Sequence, residues 1–262
     1  MVRRTISTDD GTTISYLDQP GPGVPVVLLH GLAGSSTELV ATARSLPHRR
    51  VILMDQRGHG RSTRRPADTS REAFVRDVVH LLEVECARPA ALVGQSMGAH
   101  TAMLVTAARP ELVDRLVLLE CAEGGGTREE HEQMARYFRS WPVPFADRGA
   151  ARAFLGDSAL GAAWVDDLEE RADGLHPRFD PDVMLATIEA VARPRWSEWE
   201  NLQVPATVVY GAHGMFSPAQ RAEFTSRGRE VVRVDLPRGS HDAHLDAFDD
   251  WVRALRTALD AT

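Results

Sequence analysis

The sequence predicts an α/β protein: a doubly wound, mostly parallel sheet, interrupted late in the chain by a helical segment. Three observations predict it. From residue 26 to residue 120, apolar strand-like runs alternate with helix-like stretches, the pattern that crossover connections impose on parallel strands. In the middle lies Gly94-Gln95-Ser96-Met97-Gly98, between an apolar run and a helical one. After Cys121 the alternation stops, and it resumes only near Pro205.

Taken in order, residues 3–8 and 12–18 flank Asp9-Asp10-Gly11, a hairpin signal that opens the domain with antiparallel strands. Val26-Val27-Leu28-Leu29-His30 is apolar almost throughout, as expected of a strand covered on both faces. It runs into Gly31-Leu32-Ala33-Gly34-Ser35-Ser36, with a helix continuing to about Leu46. Val51-Ile52-Leu53-Met54-Asp55 is a second buried strand, followed by the glycine-rich Gln56-Arg57-Gly58-His59-Gly60-Arg61-Ser62. Residues 70–86 carry helical periodicity through Phe74, Val75, Val78, Val79, Leu81 and Leu82. Residues 90–95 are a strand that turns at Ser96 into a helix stopped by Pro110, and residues 115–120 are the next strand. Residues 205–210 and 230–236 read as strands, 218–227 and 243–259 as helices. The expected division is therefore a core of residues 1–121 and 204–262 with a helical cap of residues 122–203.

Nine of the 16 aromatic residues fall between Tyr137 and Trp199. Small inserted helices need a core of their own, but they also lie over a sheet where ligand pockets form. The reading here is a cap with an apolar underside, and Phe138, Trp141, Trp164 and Trp196 are its candidate pocket residues.

The net charge of −7, with no basic stripe, argues against nucleic acid as a partner. All 30 basic residues are arginine; without lysine there is no Schiff-base or pyridoxal phosphate chemistry. Two cysteines make no disulfide framework. No pair of histidines has metal-ligand spacing. Neither a signal-peptide core nor a membrane span is evident, so the expected location is cytoplasmic.

Four motifs in this order, His30-Gly31-Leu32-Ala33-Gly34-Ser35-Ser36, Asp55-Gln56-Arg57-Gly58-His59-Gly60-Arg61-Ser62, Gly94-Gln95-Ser96-Met97-Gly98 and Gly239-Ser240-His241-Asp242, resemble the α/β-hydrolase superfamily over essentially the whole chain. The resemblance implies an eight-stranded sheet, a cap after the sixth strand, and nucleophilic catalysis without a cofactor. Ser96 is the implied nucleophile and His241 its base, with His244 a rival by residue type alone. The backbone N–H groups of Leu32 and Met97 are the implied oxyanion donors. His30 and His59 resemble histidines that hold the fold. The acid departs from the family pattern. The usual Gly-x-x-Asp segment here reads Gly211-Ala212-His213-Gly214, and glycine cannot supply a carboxylate. Glu120 instead closes an apolar strand, a costly place for an unpaired charge. Its position resembles that of the acid in some haloalkane dehalogenases and in zearalenone lactone hydrolases. Glu123, Asp242 and Asp246 are the reserves.

A serine at position 96 excludes the haloalkane and epoxide chemistry that needs an aspartate there. The expected function is hydrolysis of a small carboxylic ester or lactone with an apolar or aromatic part. Thioester, C–C bond and perhydrolase chemistry on the same residues are alternatives, as is a non-catalytic binding protein.

Overall fold

The apolar runs form strands because each can bury both faces. In the computed structural model, which describes residues 1–261, the strands are β1 (Val2–Ser7), β2 (Thr13–Gln19), β3 (Val26–Leu29), β4 (Val51–Met54), β5 (Ala90–Gln95), β6 (Val113–Leu119), β7 (Glu169–Arg171), β8 (Gly174–His176), β9 (Ala206–His213) and β10 (Val231–Ser240). The helices are α1 (Val40–Arg44), α2 (Arg71–Glu85), α3 (Met97–Ala108), α4 (Arg128–Arg139), α5 (Arg148–Leu155), α6 (Ala159–Asp167), α7 (Pro181–Val191), α8 (Trp196–Glu200), α9 (Pro218–Arg227), α10 (Ala243–Asp246) and α11 (Phe248–Asp260).

Eight strands make one sheet in the order β1-β2-β4-β3-β5-β6-β9-β10. The first two enter antiparallel, and from β4 onward every neighbour is parallel. Alternation along the strands divides the core in two. Val27, Leu29, Ile52, Met54 and Leu92 face α2 and α3 through Val78, Leu81, Ala99 and Met103. Val26, Leu28, Val51, Leu53, Ala91 and Val93 face α1 and α11 through Ala43, Trp251, Leu255 and Leu259. The expected α/β-hydrolase fold is therefore present, with its cap inserted between β6 and β9. Among the described residues no helix is long and apolar enough to cross a membrane.

Three features differ from the sequence expectations. The inserted segment is not wholly helical: β7 and β8 pair as a short hairpin, and Leu175 exchanges two 2.9 Å hydrogen bonds with Phe145. Gly174 holds φ at +134°, a value closed to other residues and to any helix. Trp199 does not belong to the cap core. It stacks on Phe224 with ring centroids 4.2 Å apart, and its Nε1 donates to the Phe224 carbonyl at 2.7 Å, inside the main core. The closing helix is broken at Ala247 (φ −124°, ψ 43°) into α10 and α11.

Candidate active site

Four neighbouring strands, β5, β6, β9 and β10, end at the same edge of the sheet, the edge where parallel α/β sheets bind ligands. Ser96 follows β5, Glu120 follows β6, Gly214 follows β9 and His241 follows β10.

Ser96 holds φ 51° and ψ −118°, a strained conformation for a residue with a side chain. The turn is closed from both sides. A Cβ on Gly94 would lie 2.3 Å from the Gly98 carbonyl oxygen, and a Cβ on Gly98 would lie 2.3 Å from that of Leu29. Only glycine fits at either place. The Ser96 N–H donates to the Leu119 carbonyl at 2.9 Å, which ties the turn to β6.

Glu120 is the second non-glycine residue here with positive φ, at 53°. Its side chain is fully buried. Oε1 accepts from the Gly211 N–H at 2.8 Å and Oε2 from the Met215 N–H at 3.0 Å, and Oε2 lies 3.4 Å from Nδ1 of His241. Two amide donors fix the direction in which the carboxylate points. A Cβ on Gly214 would lie 2.1 Å from Glu120 Oε1. The glutamate therefore occupies the space that a side chain at 214 would need.

Of the reserve acids, Glu123 lines the cavity beside Ser96, and the other two are engaged elsewhere. Asp246 accepts from the Ser240 N–H at 3.2 Å and from its hydroxyl. Asp242 lies 3.5 Å from Gln95 Nε2, and burial raises its pKa. His244 is buried with Nε2 3.6 Å from Glu38 Oε1, so its carboxylate neighbour is Glu38 and not Glu120. His30 accepts the Gln56 N–H at Nε2 (3.0 Å), and its Nδ1 donates to the Gly31 carbonyl (2.7 Å). His59 donates from Nδ1 to the Arg57 carbonyl at 2.8 Å, and burial pushes its pKa down to about 3. Both hold loops together.

The loop after β3 lies against the nucleophile turn: a Cβ on Gly31 would come within 3.5 Å of Ser96 Cβ. Among the described residues the N–H groups of Leu32 and Met97 have no hydrogen-bond partner. No hydrogen bond joins Ser96 Oγ to His241 among those residues either. The structure thus brings His241 to Glu120, and Gly31 to Ser96.

A cavity of about 540 Å³ opens on Ser96 and Met97. Its walls come from α3 (His100), the segment Cys121–Gly126, α4 and α7 (Met134, Ile188, Val191), and Met215 and Phe216 before α9. Of the four aromatic pocket candidates only Trp196 lines it. Phe138 and Trp141 are buried with Phe145 and Phe179 in the cap's own core, at ring separations of 5.0–6.1 Å. Trp164 packs on the same cluster and donates from Nε1 to the Ala33 carbonyl at 3.1 Å. A layer of short helices has too little aliphatic surface to close on itself, so these large rings are consumed in its packing. The cavity residues that sequence reasoning passed over include His100, the glycines 124–126 and the apolar Met134, Ile188, Val191, Met215 and Phe216. His100 was within reach, because the fourth residue after Ser96 on a helix shares its face. Among the described residues no group of three His, Cys, Asp or Glu side chains is placed to hold a metal ion.

A serine at a strained strand-to-helix turn, a buried carboxylate facing a histidine after the last strand, and a cavity opening on the serine make up the candidate site. The chain belongs to the alpha/beta hydrolase family, whose pattern it matches over residues 26–254. It is 41% identical over 249 residues to the sn-1-specific diacylglycerol lipase ABHD11 of Mus musculus, covering 89% of this chain and 80% of that protein. It is 36% identical over 242 residues to the esterase YbfF of Escherichia coli K12, covering 90% and 92%. Its fold is similar to that of E-2-(acetamidomethylene)succinate hydrolase, with a TM-score of 0.87 at 20% identity over 99% of both chains. The enol-lactonase of Burkholderia xenovorans LB400 gives 0.79 at 21% identity over 98% of this chain and 100% of that one.

Proposed function

We propose that the protein is a cofactor-free serine hydrolase that cleaves a small carboxylic ester or lactone with an apolar part. One observation carries the reading: at the end of β6 a fully buried carboxylate, held by two amide donors, faces Nδ1 of His241 at 3.4 Å. That contact keeps the proton on Nδ1 and leaves Nε2 free as a base. Ser96 Oγ attacks the ester carbonyl while His241 Nε2 takes its proton. The negative oxygen is received by the N–H groups of Leu32 and Met97, worth about 3–4 kcal/mol of transition-state stabilisation. The C–O bond then breaks, His241 returns the proton to the leaving alkoxide, and water hydrolyses the acyl-serine by the same steps. Glu120 keeps its charge throughout and steadies the imidazolium. The 3.4 Å separation is long for a charge-assisted hydrogen bond and shortens when that cation forms.

The relatives named for diacylglycerol lipase and esterase activity, and the lactonase of like fold, support ester or lactone cleavage. Trp196, Met134, Ile188 and Val191 supply the apolar wall for the substrate. Phe138, Trp141 and Trp164 act at one remove, by holding the cap over Ala33.

Labelling by a fluorophosphonate tests the reading. Wild type should be modified at Ser96 and turn over p-nitrophenyl esters or lactones, and Ser96→Ala should do neither. A folded wild type that stays unlabelled and inert would mark a binding protein instead.

A further inference from the structure

One wall of the cavity is polar in a way that the proposed chemistry does not use. His100 lies on α3 one turn beyond Ser96 and lines the same cavity. It is 2% exposed, and neither ring nitrogen has a hydrogen-bond partner. The Glu123 carbonyl is near enough to act weakly on the ring but completes no hydrogen bond with either nitrogen. Burial and the neighbouring charge of Arg71 hold the imidazole well below its usual pKa. The ring is therefore neutral, with one N–H to give and nothing to receive it.

Arg71, at the start of α2, is 2% exposed and has no carboxylate partner among the described residues. Its Nη2 donates to Thr101 Oγ1 and, at 3.4 Å, to the Met97 carbonyl, while Nε and Nη1 have no partner. The face of Phe74 lies 4.6 Å away, and the charges of Arg195 and Glu72, paired with each other at 2.5 Å, also act on the guanidinium in opposite senses. Burial lowers its pKa to about 9, which still leaves it charged at neutral pH. A buried cation without a counter-charge is among the least favourable arrangements in a protein interior. It exerts its full field where solvent does not screen it.

Three carboxylates share the cavity wall and oppose any anion: Glu123, Glu130 and Glu223. They are weaker opponents than their number suggests. Glu130 is exposed and bound into the N-terminal cap of α4 through the Thr127 N–H at 2.6 Å. Glu223 is exposed and lies 3.3 Å from Arg227. Burial pushes Glu123 toward its neutral form. Solvent screens the exposed pair, and it does not screen Arg71.

We propose that the His100 end of the cavity, backed by the unpaired charge of Arg71, binds a carboxylate on the acyl part of the substrate. This deepens the serine-hydrolase reading and rests on it. The substrate class is then the half-ester of a short dicarboxylic acid. The His100 N–H receives the free carboxylate, and Ser96 attacks the ester carbonyl at the other end. Four residues along a helix span about 6 Å, a distance that a glutaryl or adipyl chain covers.

The test compares monomethyl glutarate and monomethyl adipate with methyl valerate and methyl hexanoate, their neutral counterparts, by pH-stat. Wild type should favour the half-esters by about tenfold or more in kcat/KM, chiefly through KM, as a charge-assisted hydrogen bond would give. His100→Leu and Arg71→Met should each bring that ratio to about one, while His100→Gln, which keeps a donor, should retain most of it. The second measurement needs no turnover: calorimetric titration of Ser96→Ala with monomethyl adipate and with methyl hexanoate. Tighter binding of the half-ester supports the subsite even if wild type cleaves neither, in which case the hydrolase reading falls alone. Hydrolysis of methyl hexanoate with no preference for its charged partner overturns the subsite and leaves the hydrolase reading standing. Equal binding of the two ligands also overturns it, since water would then be meeting the His100 and Arg71 donors.

Discussion

At the ends of β5 and β6, Ser96 and Glu120 are held by backbone: positive φ at each, amide hydrogen bonds into the neighbouring strands, and glycines where a Cβ would collide. In the cap, Phe138, Trp141, Trp164 and Phe179 are held by side chains, by one another, by Phe145, Leu155 and Met184 in the same cluster, and by Ala33 below them. Both regions border the candidate site, yet they respond to change in different terms. The strand ends set atomic positions to a fraction of an ångström, so small changes there act on chemistry. The cap's rings set the height and closure of a roof, so changes there act on stability and on substrate entry. Being near the site and being rich in aromatic surface does not make a residue a pocket residue.

That contrast can be broken by experiment. The largest effects belong to the strand ends: Ser96→Ala and His241→Ala should each lower kcat by about 10⁴-fold, and the double variant should cost little more than either alone. Losses that multiply would show that the two do not act as a unit. Next comes Glu120→Gln, expected to lower kcat by about 10³–10⁴-fold while preserving the circular dichroism spectrum. Gly214→Ala in the wild type should push the carboxylate off His241 and destabilise the protein by about 1–3 kcal/mol. The same substitution in Glu120→Ala should be far milder, a coupling that a double-mutant cycle in urea reads directly. In the cap, Trp141→Ala should cost about 3–5 kcal/mol of stability and speed hydrogen exchange over α4–α7. Trp196→Ala should instead raise KM. A Trp141→Ala protein of normal stability with raised KM would put that ring back among the pocket residues.

The last contrast concerns pH. His59 is neutral in the folded protein, with its pKa pushed down to about 3, against about 6.5 when unfolded. The unfolded chain therefore binds the proton first. The contribution of this ring to stability is complete above pH about 6.5 and is lost as pH falls toward 3, at up to about 1.4 kcal/mol per unit. Urea titrations of wild type and His59→Gln between pH 7 and pH 4 should diverge, with the shallower slope in the variant.

Much of this was readable before any coordinates. The turn at Ser96 is local, and the residues that permit it, Gly94 and Gly98, lie within two positions of it. Glu120 stood out because a carboxylate ending an apolar strand needs a partner, and because Gly214 left a vacancy for one. The fate of the cap aromatics was not readable, since composition reports how much surface must be buried and not against what. Trp199 and Trp141 look alike in sequence, yet one stacks on Phe224 in the main core and the other meets Phe179 edge-to-face in the cap. The β7–β8 hairpin has only three residues in each strand, too few for a period to register. His100 was masked by its surroundings, for a histidine within an apolar helix reads as packing until its nitrogens are found without partners.

The collision between position 214 and the Glu120 carboxylate bears on ancestry. With Glu120 in place a side chain at position 214 meets its carboxylate, so an acid at 214 and the Glu120–His241 contact exclude each other unless one of them moves. Descent from one arrangement to the other then favours a step in which the histidine stands unaided, or a change at both positions together. A reconstructed intermediate on that line should be a folded but poor catalyst, and the order of the two substitutions should be recoverable from which single step leaves the protein soluble.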